Sequence, residues 1–266
     1  MGGGPGSRRL PFVRLLALAT AGPFASVGFA DGTGEPVTIA LGDGAERGRG
    51  ILREVDRLLA ARGLAARDLE GIAVEVGPGS FTGVRVGVAT AKALALGLSI
   101  PVVAVVSLDA LSLAAGPSSV EILALRDARA GEAFFAIYRA GRTAGDAAVV
   151  APGAPPVPAN LVSTRLQKPT RGTAALIRTY LEERGIAKVL AVGEDAERLA
   201  VTLPLTGLLA GVRTPAVTPV ELLALARPRF AAGTTDDPDA LAPLYLQPST
   251  PEKRLAERDA KKGGGA

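Results

Sequence analysis

Apolar positions divide the chain into short blocks separated by turn residues. Val13 to Ala19 and Ala25 to Ala30 flank Thr20-Ala21-Gly22-Pro23, which predicts a strand, a turn and a second strand, and Val37 to Leu41 extends the meander. The period then changes. Ile51, Leu52, Val55, Leu58 and Leu59 recur at three- and four-residue steps, the spacing of one helical face, and Gly63 ends the run. Ile72 to Val76 predicts a buried strand that leads through a glycine-rich turn into a helix from Thr82 to Leu98. A strand from Val102 to Val106 and a helix from Ser107 follow. Meander strands followed by alternating helix and strand predict an α/β fold of layers around a mixed sheet.

A second unit begins near Val120, where Val120 to Leu125 and Glu132 to Tyr138 flank Asp127-Ala128-Arg129-Ala130-Gly131 as a hairpin. Pro152, Pro155, Pro156 and Pro158 exclude regular structure from the stretch after it. Thr173 to Arg184 reads as helix, Lys188 to Val192 as strand and Glu194 to Ala200 as a short helix. The last long helix is the best punctuated: Thr218 caps it, Pro219 takes the first position, Glu221 completes a capping box and Gly233 stops it. Leu222, Leu223, Leu225, Ala226 and Phe230 give it an apolar face.

Composition removes whole classes of chemistry. The chain has no cysteine and no histidine, which excludes disulfides, cysteine or histidine metal sites and any nucleophilic triad with a histidine base. Hydrophobic residues make up 48%, yet the longest central chargeless stretch, Ala93 to Leu108, is broken by Gly97 and Pro101 and falls short of the roughly 20 residues of a membrane span. The net charge of +4 is small and dispersed, as on a solvated arginine-rich surface. Only Lys253, Arg254, Arg258, Lys261 and Lys262 gather positive charge, and Glu252, Glu257 and Asp259 interrupt them. Ser7-Arg8-Arg9 ahead of Leu15 to Ala30 has the outline of an export signal. Arg14, Pro23, Ser26 and Gly28 interrupt or dilute the apolar run, and the hairpin reading is preferred.

Gly77-Pro78-Gly79-Ser80-Phe81-Thr82-Gly83-Val84-Arg85 joins a strand to a helix. Its glycines allow close backbone approach, and the free N–H groups of the first helical turn make Gly77, Gly79, Ser80, Thr82 and Arg85 candidates for holding an anion or nucleotide phosphate. An ordinary strand-to-helix turn needs glycine as well, and neither G-x-x-x-x-G-K-[ST] nor G-x-G-x-x-G is present. The helix itself carries small residues at every fourth position, Gly83, Gly87, Ala91 and Ala95, with a second stripe at Ala89, Ala93 and Gly97. One stripe can serve the sheet and the other a partner.

The segment GPGSFTGVRVG, Gly77 to Gly87, running on through Ala89-Thr90-Ala91-Lys92-Ala93-Leu94-Ala95 to Val105-Val106-Ser107-Leu108, resembles the signature of the TsaB (YeaZ) family. Asp127-Ala128-Arg129-Ala130-Gly131-Glu132 is similar to the family's D-A-R-R-G-E turn, and Pro243-Leu244-Tyr245-Leu246 to its P-x-Y-L-R ending. The resemblance spans residues 12 to 247. It implies a two-lobed fold like that of actin, Hsp70 and the sugar kinases: a flexible tail over 1–11, a first lobe over 12–118, a second over 119–217, helix 219–232 packing back on the first, and a basic tail over 247–266. It also implies a cytoplasmic, non-catalytic subunit of the machinery that places a threonylcarbamoyl group on adenosine 37 of tRNA. Such a subunit pairs with the catalytic paralogue TsaD, works with the ATPase TsaE, forms a homodimer when alone and meets tRNA through the complex. On that resemblance together with the small-residue stripe, its partner face is Gly83, Val84, Gly87, Val88, Ala91, Lys92 and Ala95. It has no cofactor of its own, with ATP or ADP at or near the interface.

Two segments depart from the family. Leu15-Leu16-Ala17-Leu18-Ala19-Thr20 has Ala19 where I-L-A-L-D-T has a carboxylate, and Arg47-Gly48-Arg49 stands where H-S-E is frequent. The alternative within the same fold is an ATP-dependent phosphotransferase that uses the Gly77 to Gly83 turn for phosphates. It needs a carboxylate to hold Mg²⁺ or act as base, and with Ala19 in place only Asp127 and Glu132 stand in for it.

Overall fold

The first lobe is ordered by a sheet whose middle is fully apolar. In the computed structural model, which describes residues 14–32, 36–41, 47–139 and 164–246, β1 (Leu15–Ala19), β2 (Ser26–Ala30), β3 (Val37–Ala40), β4 (Gly71–Glu75) and β5 (Val102–Val105) form one sheet. Their order is β3-β2-β1-β4-β5. β1 pairs antiparallel with β2 and parallel with β4, and β4 parallel with β5, so the sheet is mixed. β1, β2 and β4 are buried on both faces, as continuous apolar runs require. The Leu15 to Ala30 segment is therefore the hairpin expected of it, at the centre of a core.

A second mixed sheet holds β6 (Glu121–Arg129), β7 (Glu132–Arg139), β8 (Thr164–Gly172), β9 (Val189–Val192) and β10 (Leu209–Arg213) in the order β10-β9-β6-β7-β8. The hairpin between β6 and β7 turns at Arg129, Ala130 and Gly131, all at positive φ. β8 and β10 have no counterpart in the apolar pattern. β8 reads TRLQKPTRG and β10 LAGVR, and both are recruited at the ends of the sheet by pairing with β7 and β9.

Helices fill three layers around the two sheets. α1 (Arg47–Ala60) and α2 (Phe81–Leu98) cover the outer face of the first sheet, where Ile51, Val55, Leu58, Val84, Val88 and Ala91 meet Leu16, Leu18, Ile72 and Val74. α3 (Ser107–Ala114) and α6 (Pro219–Ala232) lie between the sheets. Leu108, Leu111, Leu222, Ala226 and Phe230 share one core with Leu15, Ala17 and Val103 from one side and Ile122, Ala136 and Leu190 from the other. α4 (Ala174–Glu182) and α5 (Ala196–Thr202) close the far face of the second sheet. Alternation assigns the strands to these cores: Leu15 and Ala17 point to the middle, Leu16 and Leu18 outward.

α6 owes its place to local chemistry. The Thr218 hydroxyl accepts from Val220 N at 3.2 Å, Glu221 accepts from Thr218 N at 2.8 Å, Pro219 opens the helix and Gly233 ends it at φ 67°. The helix packs against β1, β2, β4 and β5. It reaches them because a Cβ at Gly28 would run into Pro219, and one at Gly71 into the Phe230 ring.

After α6 the chain crosses the first lobe as a strap. Asp236 bridges to Val102, its carboxylate accepts from Ala104 N at 2.7 Å, Leu241 is buried in the outer core, and Leu244 N donates to Val76 O at 2.7 Å. The tails over 1–11 and 247–266, the proline-rich stretch and the side chains of Arg47 and Arg49 lie outside the described residues.

Candidate functional site

The glycine-rich turn and the last described residues, far apart in sequence, meet on the first lobe. Leu244 docks at Val76, and Gly77 follows at φ 99° before a cis bond to Pro78. Tyr245 then lies beside the first turn of α2. The Arg85 guanidinium stacks over the Phe81 ring at 3.9 Å, and its Nε donates to the Tyr245 hydroxyl at 2.8 Å. The GPGSFTGVR and PLYL segments thus form one surface feature.

The turn itself is filled by the protein. Ser80 N donates to the Ala21 carbonyl at 2.8 Å, and the Ser80 hydroxyl caps α2 by accepting from Gly83 N at 3.3 Å. Gly79 lies so close to the Ala21 carbonyl and the Arg126 guanidinium that a Cβ there would overlap both. Of the five residues considered for an anion, Gly77, Gly79 and Ser80 make internal contacts, Thr82 is exposed, and Arg85 is engaged with the two rings.

The charged group behind the turn is one that the motif does not contain. Arg126 of β6 donates from Nη1 to Glu75 Oε1 at 2.9 Å and to the Pro78 carbonyl at 3.0 Å. It also donates from Nη2 and Nε to the two oxygens of Glu194 at 2.8 and 3.2 Å. Glu75 accepts in addition from Ala21 N at 2.8 Å. The side chains are almost wholly enclosed, at 4% exposure for Arg126, 0% for Glu75 and 7% for Glu194. Burial alone lowers the pKa of Arg126, but attraction to Glu75 and Glu194 with the hydrogen bonds from both carboxylates raises it overall, so the guanidinium stays charged. Two carboxylates around one guanidinium leave a net negative charge, which opposes an anion at this place.

The cluster stands at the carboxyl ends of parallel strands, β4 in one sheet and β9 in the other, where α/β sheets ordinarily receive ligands. Sequence reading missed it because Glu75, Arg126 and Glu194 come from three distant segments. The available signal was Glu75 inside the otherwise apolar Ile72 to Val76 run and Arg126 directly after the apolar Ile122 to Leu125.

The partner face expected from the small-residue spacing needs correction. Gly83, Val84, Gly87, Val88, Ala91 and Ala95 are buried inside the monomer. A Cβ at Gly83 or Gly87 would lie closer than 3.0 Å to the Thr20 carbonyl or the Thr20 hydroxyl. This stripe seats α2 on the sheet, so the small side chains serve internal packing. Lys92 is turned to the strap and donates to the Asp239 carbonyl at 2.6 Å. The second stripe faces outward: Thr82, Arg85, Ala89, Ala93, Leu96 and Gly97 are exposed, with open space at Gly97. α1 packs alongside α2. By length and composition α2 is apolar enough to cross a membrane, but part of that character belongs to the outer core and the rest forms this face.

The carboxylates left for phosphotransfer are engaged elsewhere. Asp127 accepts from Arg129 N at 2.8 Å and pairs with Arg198 at 2.9 Å, and Glu132 pairs with Arg171. Ala19 is core, at 1% exposure. Among the described residues no three His, Cys, Asp or Glu side chains converge as a metal site.

Residues 48–168 match the family model of tRNA N6-adenosine threonylcarbamoyltransferase, TsaD. An uncharacterised protein of Mycobacterium tuberculosis is 37% identical over 161 residues, covering 58% of this chain and 74% of that one. The tRNA threonylcarbamoyladenosine biosynthesis protein TsaB of Escherichia coli is 38% identical over 91 residues, 34% of this chain and 39% of its own length. Among solved structures, YeaZ from Pseudomonas aeruginosa superimposes with a TM-score of 0.65 at 22% identity, over 88% of this chain and 99% of that one. That likeness establishes the two-lobed fold.

Proposed function

Because the chain belongs to the TsaB (YeaZ) family, we propose that it is the non-catalytic subunit that pairs with the paralogue TsaD, together with TsaE, for threonylcarbamoylation of adenosine 37 in tRNA. The observation that carries the reading is the outward side of α2, where Ala89, Ala93 and Gly97 are exposed at four-residue spacing together with Arg85 and Leu96, and space is open at Gly97. Small residues at four-residue spacing let a second helix approach closely, and desolvating such a face supplies the driving force of association. The TsaD model matches residues 48–168, the stretch that contains α1 and α2. A partner built on the same lobe presents an equivalent pair of helices, and without it two copies of this chain pair through the same side.

The protein's lack of histidine supports the non-catalytic half of the proposal, since it has no imidazole to offer a metal. Any ATP or ADP belongs at or near the interface with TsaD, because the crevice at the strand ends is occupied by Arg126, Glu75 and Glu194. The work of such a complex on tRNA puts it in the cytoplasm.

The test is size-exclusion chromatography with light scattering of this protein mixed with TsaD from the same organism, with and without ATP. A one-to-one complex is expected. Separate elution in both conditions refutes the proposal.

A further inference from the structure

The Arg126 cluster is more elaborate than two sheets need in order to stay together, since α3, α6 and a continuous apolar core already join them. Four N–H groups of one guanidinium are engaged, in a plane that touches both lobes. Apolar side chains of similar volume hold such a contact as strongly as buried ions do. A planar fork with bidentate geometry adds direction: it fixes the angle at which its partners meet. The surroundings are shaped for it. A Cβ at Gly22 would lie 2.9 Å from Glu194 Oε1, and one at Gly79 2.7 Å from Arg126 Nη1.

The Pro78 carbonyl is the one acceptor in the cluster that belongs to the turn entering α2. We infer that Arg126 is a positioning residue through which the second lobe sets the geometry of the α2 face: the guanidinium, held by Glu194, fixes Glu75 and Pro78 and with them the first turn of the docking helix. The inference deepens the docking proposal and rests on it for its consequence. Displacement of β6 or β9 relative to the first sheet is transmitted along this bond to Ser80, Phe81 and Arg85, the end of the face where the strap also meets it.

Two variants and one control test this in the full chain. The triple substitution Glu75→Gln, Arg126→Met, Glu194→Gln removes the charges together and leaves none buried alone. Arg126→Lys keeps the cation but replaces the fork with a point donor. Asp109→Asn weakens another link between the lobes, the contacts of Asp109 with Tyr138 and Arg165, which do not involve the Arg126 guanidinium. The readouts are amide hydrogen exchange over residues 79–88, thermal unfolding, and affinity for TsaD.

In both cluster variants exchange over 79–88 is expected to rise about tenfold while the protein still unfolds cooperatively, and affinity for TsaD falls. The control leaves exchange over 79–88 unchanged. Wild-type exchange at the turn in either folded cluster variant overturns the inference, as does an equal rise in the control. Should the triple variant not fold, Arg126→Lys decides alone. If wild-type protein does not bind TsaD, the docking proposal fails, and exchange over 79–88 still tests the coupling.

Discussion

Two glycines of α2 make opposite predictions for the same substitution. At Gly83 an added Cβ lies closer than 3.0 Å to the backbone oxygen of Thr20, at the end of β1. β1 is paired on both sides, with β2 and β4, so that oxygen cannot retreat without moving the sheet or lifting the helix. Overpacking of this kind costs about 1–3 kcal/mol, and alanine returns at most about 1 kcal/mol in helix propensity. With that Cβ overlapping the backbone oxygen outright the cost lies at the upper end of the range, so Gly83→Ala destabilises by roughly 2 kcal/mol, about 4–8 °C in Tm for a chain of this size. At Gly97 a Cβ meets nothing within 4 Å, and Gly97→Ala gains up to about 1 kcal/mol. Urea titration and thermal unfolding at one fixed, low protein concentration measure both, since self-association would otherwise enter the comparison. If Gly83→Ala is as stable as wild type, α2 is not seated on β1 by its first stripe, and the assignment of inward and outward sides falls with it.

Ala93→Arg, which puts a long cation on the open side of α2, should weaken association with TsaD at least about tenfold with Tm unchanged; equal affinity removes Ala93 from the interface. Thr218→Ala removes the cap of α6 and should cost about 0.5–2 kcal/mol by urea titration, and a smaller loss would mean that tertiary packing alone holds the helix start. The Tyr138 hydroxyl is driven well above its ordinary pKa by burial and by the nearby Asp109 carboxylate. An acid whose folded pKa is raised contributes stability that is complete below about pH 10 and is lost as pH rises beyond it, because the unfolded chain releases the proton first. Stability measured between pH 8 and 11 should fall more steeply for wild type than for Tyr138→Phe, and parallel curves would show that the hydroxyl is not enclosed.

Legibility in the sequence followed the range of the interactions. Thr218, Pro219, Glu221 and Gly233 act on backbone groups within a turn of themselves, so the limits of α6 could be read directly. The same holds for Gly63 after α1 and for the Arg129 to Gly131 hairpin. The periodicity of α2 revealed two stripes but not which one meets the sheet, because Gly83, Gly87, Ala91 and Ala95 are as small as Ala89, Ala93 and Gly97. The position of Thr20 decides it, and no local pattern encodes that. β8 and β10 escaped because their strand character is imposed by pairing with β7 and β9. The Glu75, Arg126 and Glu194 cluster escaped because each partner is supplied by a different part of the chain.

Placement of the last helix between the two sheets also orders events on the ribosome. The first sheet is complete in sequence by Val105, yet its inner face is covered by α6, which begins at Pro219. At about 5–20 residues per second, the intervening stretch takes roughly 6–23 s to synthesise. Throughout that interval the nascent first lobe presents Leu15, Ala17 and Val103 without their α6 lid. Translation speed through the second lobe, and any chaperone that shields this face meanwhile, thus bear on the yield of folded protein.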